Sequence, residues 1–287
     1  MKFNSYTDVK SFYRDTYELL MHHEAQNVII LGNIIIGNAG LDKTGWRDPV
    51  NWFMATVSDG GILLTALMTP PHMLTLYTTD NRIDEEALAC LIHGIEDSGV
   101  SIPGVMSEKS FAERFAKIYA GIKGVKYSIE TSLRLYELTK VAPDITVNGD
   151  LRLARNSDMA FLPYWLEGFS NDCFGESPLV KPDAELYQYH IDTKKGYVLE
   201  DRGVPVSVAK ISREIQTLCC VSLVYTPPYF RRKGYATSCV AALSQVCLEH
   251  GFTRCVLYTD LANPISNSIY QKIGYVPIND FSDIKFK

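Results

Sequence analysis

The hexapeptide Arg231-Arg232-Lys233-Gly234-Tyr235-Ala236 is the part of the sequence best suited to bind an anion. It follows an apolar run ended by two prolines and precedes a segment of helical periodicity, which predicts strand, turn and helix start. Backbone N–H groups at a helix start point outward, and the helix dipole favours negative charge. Gly234 permits close approach of a phosphate, and the cations add charge-assisted contacts. The pattern predicts a pyrophosphate site, although a basic turn that caps a helix and binds nothing would have the same local sequence.

Two blocks of sequence resemble the GNAT superfamily of N-acetyltransferases. Arg231, Gly234 and Ala236 match its coenzyme A loop, in which Gln or Arg is followed by two residues, Gly, one residue, and Gly or Ala. The string that begins at Val224 is similar to the VYTPP-x-x-R-x-x-GYA form of a bacterial group of predicted acetyltransferases. Residues 263–275 resemble the closing motif of the family, and the similarity extends back to Leu151.

The resemblance implies that an amine attacks the thioester carbonyl of acetyl-CoA directly, with no metal ion. A splayed strand of the family offers N–H groups to the pantetheine arm and the developing oxyanion, which are the contacts that stabilise charge. Tyr270 takes the place of the general acid that protonates the departing thiolate, and a phenol is protonated at neutral pH. The candidate cofactor contacts are Leu223, Val224, Tyr225, Arg231, Arg232, Lys233, Gly234, Tyr235, Ala236, Thr237 and Asn263.

Some of these residues have structural interpretations that stay open. Tyr270 could be a core tyrosine whose hydroxyl reaches a backbone carbonyl. Asn263 precedes a proline and could cap a helix. The general base is not indicated by the sequence. Glu200 and Glu214 lie at strand ends, where a glutamate is more often a solvated charge.

The elements around the motifs predict a mixed α/β architecture in the second half. A hairpin flanks Asp201-Arg202-Gly203, and residues 218–226 read as a long apolar strand. A helix is predicted from Tyr235 to His250, with Ala236, Val240, Leu243 and Cys247 on one face and Gly251 as its C-cap. A strand and a short helix over 264–273 follow.

The first half predicts two helices, a three-stranded antiparallel meander, a helix, a strand, a second helix and a strand over 126–139. This order parallels a GNAT fold, but no R-x-x-G-x-A loop is present. We therefore predict two tandem GNAT-like α/β (α+β) domains with mixed, mostly antiparallel sheets. Residues 1–145 form a degenerate domain and residues 146–287 a catalytic one. His22, His23, Glu24, Trp46 and Trp52 are interpreted as surface or core residues.

The composition of the chain limits the classes of binding partner and the kind of site that are expected. A net charge of −5 disfavours nucleic acid and anionic membranes. No apolar stretch is long enough to span a bilayer. Seven cysteines with no CxxC pair predict reduced thiols in a cytoplasmic protein and no metal site.

The expected activity is acetylation of a small-molecule amine. The alternatives are a longer-chain N-acyltransferase of the glycine N-acyltransferase-like type and a non-catalytic acyl-CoA sensor. The acceptor amine and the oligomeric state are not specified by the sequence.

Overall fold

A computed structural model describes residues 1–40, 48–79, 84–175 and 184–287 and divides into two compact units. The N-terminal unit comprises Met1–Leu135, Thr259–Ala262 and Ile278–Lys287. The C-terminal unit comprises Tyr136–Tyr258 and Asn263–Pro277. These units differ from the predicted division at residue 145 in two ways. One strand contributes residues to both units near residue 135, and the end of the chain returns to the N-terminal unit.

The N-terminal unit is a sheet with helices. Its strands are β1 (Lys2–Tyr6), β2 (Phe53–Ser58), β3 (Ile62–Met68), β4 (Leu74–Thr78), β5 (Gly104–Glu108), β6 (Tyr127–Leu138) and β12 (Val276–Phe286). Its helices are α1 (Val9–Met21), α2 (Val28–Ala39), α3 (Glu85–Asp97) and α4 (Lys109–Lys123). The strand order is β1-β2-β3-β4-β5-β12-β6. The strands β4 and β5 are parallel, whereas β1 to β4 and the pair β5–β12 are antiparallel.

Two strands of this unit were not predicted. The prediction that helices come first was wrong, because β1 precedes them and pairs with β2 from Lys2 opposite Ser58 to Tyr6 opposite Met54. Likewise β12 pairs with β5, with Phe281 opposite Glu108. Both strands are defined by partners far away in the sequence, which local periodicity does not report. The predicted meander and helices are confirmed.

The C-terminal unit contains the predicted hairpin, apolar strand and last two helices, all of which are confirmed. Its strands are β7 (Asp150–Leu153), β8 (Gly196–Asp201), β9 (Val204–Glu214), β10 (Leu218–Tyr225) and β11 (Arg254–Asp260). Its helices are α5 (Leu162–Phe174), α6 (Ala184–Asp192), α7 (Tyr235–Glu249) and α8 (Pro264–Ile273). The order β11-β10-β9-β8-β7 is antiparallel except for the parallel pair β10–β11. Helix α6 was not predicted.

The helix α7 packs on this sheet through the face that its sequence predicts. Val240, Leu243 and Cys247 are fully buried and belong to the same core as Leu199 and Val221 of the strands. Burial of side chains of this size contributes about 1.5–3 kcal/mol each. The N-terminal end of α7 is therefore held in place by its apolar body.

The mixed sheets with flanking helices confirm the predicted fold class. Within the described ranges, no helix combines the length and the hydropathy that crossing a bilayer requires.

The polar and aromatic residues singled out in the first half have structural roles. His23 Nδ1 lies 2.7 Å from the Tyr77 hydroxyl. Trp52 is buried, and a Cβ added to Gly37 would come within 3.0 Å of its indole, so Trp52 packs in the core. Trp46 lies outside the described residues.

Candidate active site

The strand β10 parts from β11 in the middle of the C-terminal unit. Parallel pairing between them covers only Leu218 to Cys220, opposite Arg254 to Val256. On its other side β10 shifts register against β9 between Ser222 and Tyr225. Leu223, inside this shift, has φ of 52°, a conformation that costs a branched residue about 1 kcal/mol or more. Within the described sheet, Leu223 and Val224 have no ladder partner on either side, so their backbone groups can serve a ligand.

The turn after β10 leaves the start of α7 uncapped. Pro227 and Pro228 end the strand, and Gly234 is the N-cap of α7 with φ of 82°. Among the residues that the structure describes, no side chain accepts a hydrogen bond from the first turn of the helix at this cap. A Cβ added to Gly234 would meet only Asn148 Nδ2, at 3.8 Å, so the space before the helix is open. Unpaired N–H groups at the positive end of the dipole can bind an anion here.

The cations of the loop differ in what they contact. Arg231 Nε donates to the carbonyl oxygen of Thr226 at 2.9 Å, and its guanidinium group pairs with Asp172 of α5 and lies over the Tyr225 ring. This residue therefore fixes the turn to the end of β10. The Lys233 ammonium lies 5.6 Å from the centre of the exposed Tyr229 ring. In the described part of the chain, Arg232 and Lys233 form no ion pair, so their charges remain available to a phosphate.

Tyr235 links the start of α7 to the β8–β9 hairpin. Its hydroxyl donates to Asp201 Oδ2 at 2.5 Å. This hydrogen bond is the main cause of a lowered pKa of Asp201, whose carboxylate is the preferred acceptor. The phenol at the loop is therefore oriented by an anion.

Tyr270 of α8 is buried, with 7% of its surface exposed. Its ring centre lies 6.4 Å from that of Tyr136 and 6.0 Å from that of Tyr275. Among the described residues its hydroxyl has no hydrogen-bond partner, so the predicted alternative of a bond to a backbone carbonyl is not observed. Burial raises the pKa of Tyr270 well above its ordinary value, and the phenol carries its proton at neutral pH.

Comparison with known proteins identifies this unit. Residues 164–275 match the acetyltransferase (GNAT) family model. The C-terminal unit carries a GNAT acetyltransferase domain. The predicted family is confirmed on a match that covers most of the C-terminal unit.

Solved structures extend the similarity to the whole chain. A GNAT acetyltransferase from Colwellia psychrerythraea is 13% identical, with a TM-score of 0.62 over 100% of both chains. A GCN5-related N-acetyltransferase from Sphaerobacter thermophilus is 12% identical, with a TM-score of 0.64 over 99% of this chain and 95% of its own. A tandem GNAT protein from the clavulanic acid biosynthesis pathway is 11% identical, with a TM-score of 0.56 over 99% and 97%. At these identities the likeness shows the fold. No curated protein matches the sequence.

Asn263 forms the helix cap that is the alternative to its predicted contact with pantetheine. Its side-chain oxygen accepts the Ser266 N–H at 3.0 Å, at the start of α8. Its backbone oxygen accepts from Asn267 Nδ2 at 2.7 Å. The side-chain oxygen is already used within the GNAT domain, and the cofactor contact of Asn263 stays a prediction.

The two glutamates considered as general bases both form ion pairs. Glu200 Oε1 accepts from the Arg152 guanidinium at 2.5 Å, and this bond lowers the pKa of the carboxyl. Glu214 Oε2 lies 2.9 Å from Lys195 Nζ. The Glu200 carboxylate is not poised to take a proton near neutral pH, because Arg152 stabilises its charged form.

One feature of the GNAT domain was not predicted from the sequence. A small apolar pocket of about 10 Å³ lies beside Leu223 and is lined by residues that include Leu162, Tyr187, Ile191 and Val208. At one side Lys210 Nζ lies 2.9 Å from His190 Nε2. These residues come from α5, α6, β9 and β10, so no local pattern brings them together. The positive φ of Leu223 has no sequence signal either, because glycine is the residue expected there.

Proposed function

We propose that the GNAT domain transfers an acetyl group from acetyl-CoA to the amine of a small molecule by direct attack. The uncapped start of α7, with Gly234 at its N-cap, is the observation that carries this proposal. A pyrophosphate placed there would accept hydrogen bonds from the N–H groups of the first turn, Tyr235 to Thr237. It would also lie near the positively charged side chains of Arg232 and Lys233. The arrangement favours a ligand with two adjacent phosphates.

The bulge in β10 supports acyl transfer. Since Leu223 and Val224 lack ladder partners, their backbone groups are free to bind the pantetheine arm and the thioester oxygen. An N–H that is already oriented stabilises the oxyanion that develops during attack, and such a donor contributes about 3 kcal/mol in enzymes. Arg231 would act indirectly, because it is bonded to Thr226 and holds the loop.

Tyr270 is proposed as the general acid. As the amine forms its bond to the carbonyl carbon, the C–S bond breaks and the sulfur receives the electron pair. The phenol proton neutralises that sulfur, the attacking nitrogen loses one proton to water, and the phenolate of Tyr270 regains a proton from solvent. The burial that raises the pKa of Tyr270 also disfavours a thiolate beside it, so transfer depends on the relative basicity of two groups in one environment.

Calorimetric titration of acetyl-CoA into the protein and into Gly234→Glu tests the proposal. The carboxylate should weaken binding by about 100-fold or more, because it repels the phosphates and fills the space before the helix. Gly60→Glu is the matched control, since Gly60 also has positive φ (69°) and no atom near an added Cβ, yet lies in the β2–β3 turn. No binding to the unmodified protein would end the proposal.

One alternative is a donor with a longer acyl chain, for which the small apolar pocket beside Leu223 would have to widen. The apolar lining of that pocket suits methylene groups, and each buried methylene is worth about 0.8 kcal/mol. Thiol release measured with acetyl, butyryl and hexanoyl donors separates the two, because a rise in kcat/KM with chain length would favour the longer donor. Binding of acetyl-CoA without thiol release for any amine in a broad library would favour a sensor.

A further inference from the structure

Three cysteines meet in the core of the C-terminal unit. Cys219 of β10, Cys247 of α7 and Cys255 of β11 are fully buried, and their sulfurs all lie within 4.8 Å of one another. Cys219 and Cys255 stand directly opposite each other in the parallel pair, with their sulfurs 3.7 Å apart. We call these three residues the thiol cluster.

The size of the thiol cluster fits a metal ion at its centre. Metal–sulfur bonds of about 2.3 Å in a planar triangle require an edge of about 4.0 Å between sulfurs. The Cys219–Cys255 distance of 3.7 Å is close to that edge, and the remaining distances need a contraction of less than an ångström. Side-chain rotation without a shift of the backbone can supply a change of that size.

The donor set selects the kind of ion. Thiolates are soft ligands that bind Cu(I) and Zn(II), but structural zinc takes four protein ligands. Among the described residues, no fourth His, Cys, Asp or Glu joins the group. The nearby Tyr275 hydroxyl is 2.8 Å from that of Ser244 and is already engaged. We propose that the thiol cluster binds one soft monovalent cation of the Cu(I) type in three-coordinate geometry.

The position of the thiol cluster gives this binding a structural consequence. An ion held by all three sulfurs would join the body of α7 to β10 and β11, the elements that carry the proposed cofactor site. A ligand that binds the folded state more tightly than the unfolded chain raises the stability of the folded state by mass action. Copper binding should therefore raise the melting temperature, whether or not the protein catalyses acetyl transfer.

The experiment uses the full chain with Cys90→Ser and Cys173→Ser, which removes the partly exposed and the exposed thiols. Under anaerobic reducing conditions, Cu(I) is titrated against bicinchoninate, while near-ultraviolet charge-transfer absorption and the melting temperature are followed. A second sample is refolded from guanidinium with Cu(I), so that the ion can bind before the three buried sulfurs are enclosed. One Cu(I) per chain and a higher melting temperature are expected.

Two variants decide where the ion binds. Cys247→Ala should weaken Cu(I) binding by at least 100-fold, since two thiolates remain. Cys239→Ala is the matched control, because Cys239 is an equally buried thiol of α7 outside the cluster, and it should keep full binding. Full binding in Cys247→Ala, loss in Cys239→Ala alone, preference for Zn(II) over Cu(I), or no uptake in either sample would each overturn the proposal.

Discussion

The two units differ in how the N-terminal ends of two equivalent helices are capped. Helix α3 joins the parallel strands β4 and β5, and helix α7 joins the parallel strands β10 and β11. Asp84 caps α3 by accepting the Ala87 N–H at 3.0 Å, and Glu85 and Glu86 follow in its first turn. Gly234 leaves α7 uncapped, with three cations before it. The first turn of α3 has a side-chain cap and acidic residues, whereas the first turn of α7 has neither, as the proposed anion site requires.

The helices that follow the second parallel strand show the same contrast. Tyr270 is the seventh residue of α8, and Phe115 is the seventh residue of α4. Both rings are buried, but only Tyr270 has a hydroxyl. The N-terminal unit therefore has the GNAT-like fold without counterparts of the proposed anion site and of the proposed proton donor. Apolar packing maintains the fold in both units, and the proposed chemistry depends on the loop at Gly234 and on Tyr270.

The largest effect on activity is expected when Tyr270 of α8 is replaced by phenylalanine, the residue type at the same position of α4. Tyr270→Phe should lower turnover by about 100-fold, because it removes the proposed proton donor while the ring stays packed. Affinity for acetyl-CoA should change little. The measurement is thiol release at saturating donor with an amine that the unmodified protein acetylates. Tyr275→Phe is the control, because it removes a buried hydroxyl bonded to Ser244 and should leave turnover unchanged. Equal turnover in Tyr270→Phe would remove Tyr270 from the mechanism.

The second prediction concerns buried carboxyls. The C-terminal unit pairs Asp158 and Glu200 with Arg152, whereas burial in the N-terminal unit raises the pKa of Asp283 to about 6. Because the folded state holds this proton more tightly than the unfolded chain, the free energy of unfolding should rise as pH falls from 7 towards 4. Asp283→Asn should add roughly 2 kcal/mol at pH 7.5 and abolish that part of the pH dependence.

Urea unfolding at pH 7.5 and pH 5 measures this effect. Asp280→Asn on the same strand is the control, because the opposite change in the free energy of unfolding is expected. Asp280 forms two hydrogen bonds with Arg134, of 2.7 and 2.8 Å, which lower its pKa, so its loss should destabilise the protein at pH 7.5. A loss of stability in Asp283→Asn would mean that the buried carboxylate has a favourable partner.

The smallest effect is expected from removing the cap of α3. Asp84→Ala should lower the free energy of unfolding by about 1 kcal/mol, because the Ala87 N–H loses its acceptor. The affinity of the protein for acetyl-CoA should not change. Removal of Asp84 does not create a phosphate site at α3, because Glu85 and Glu86 in its first turn still repel phosphate. Chemical unfolding and calorimetry test the two parts separately. Asp97→Ala, at the other end of α3, should not destabilise the helix, because the negative charge there opposes the dipole.

The sequence by itself determined the features that depend on neighbouring residues. The loop at Gly234, the buried face of α7 and the cap at Asp84 are encoded within one or two helical turns, so periodicity and residue type report them. The GNAT similarity rests on the same short motifs, Arg231 to Ala236 and residues 263–275. These motifs also fix the spacing between the proposed anion site and Tyr270 along the chain.

Tertiary structure alone decided the features that depend on distant partners. The bulge at Leu223 arises where β10 leaves β11, and a leucine at that position gives no signal of positive φ. Strand β12 is defined by pairing with β5, and the ion pairs of Glu200 with Arg152 and of Glu214 with Lys195 also depend on tertiary structure. The thiol cluster joins a strand, a helix and a second strand. Long-range pairing and packing fix these positions, and no short segment of sequence records them.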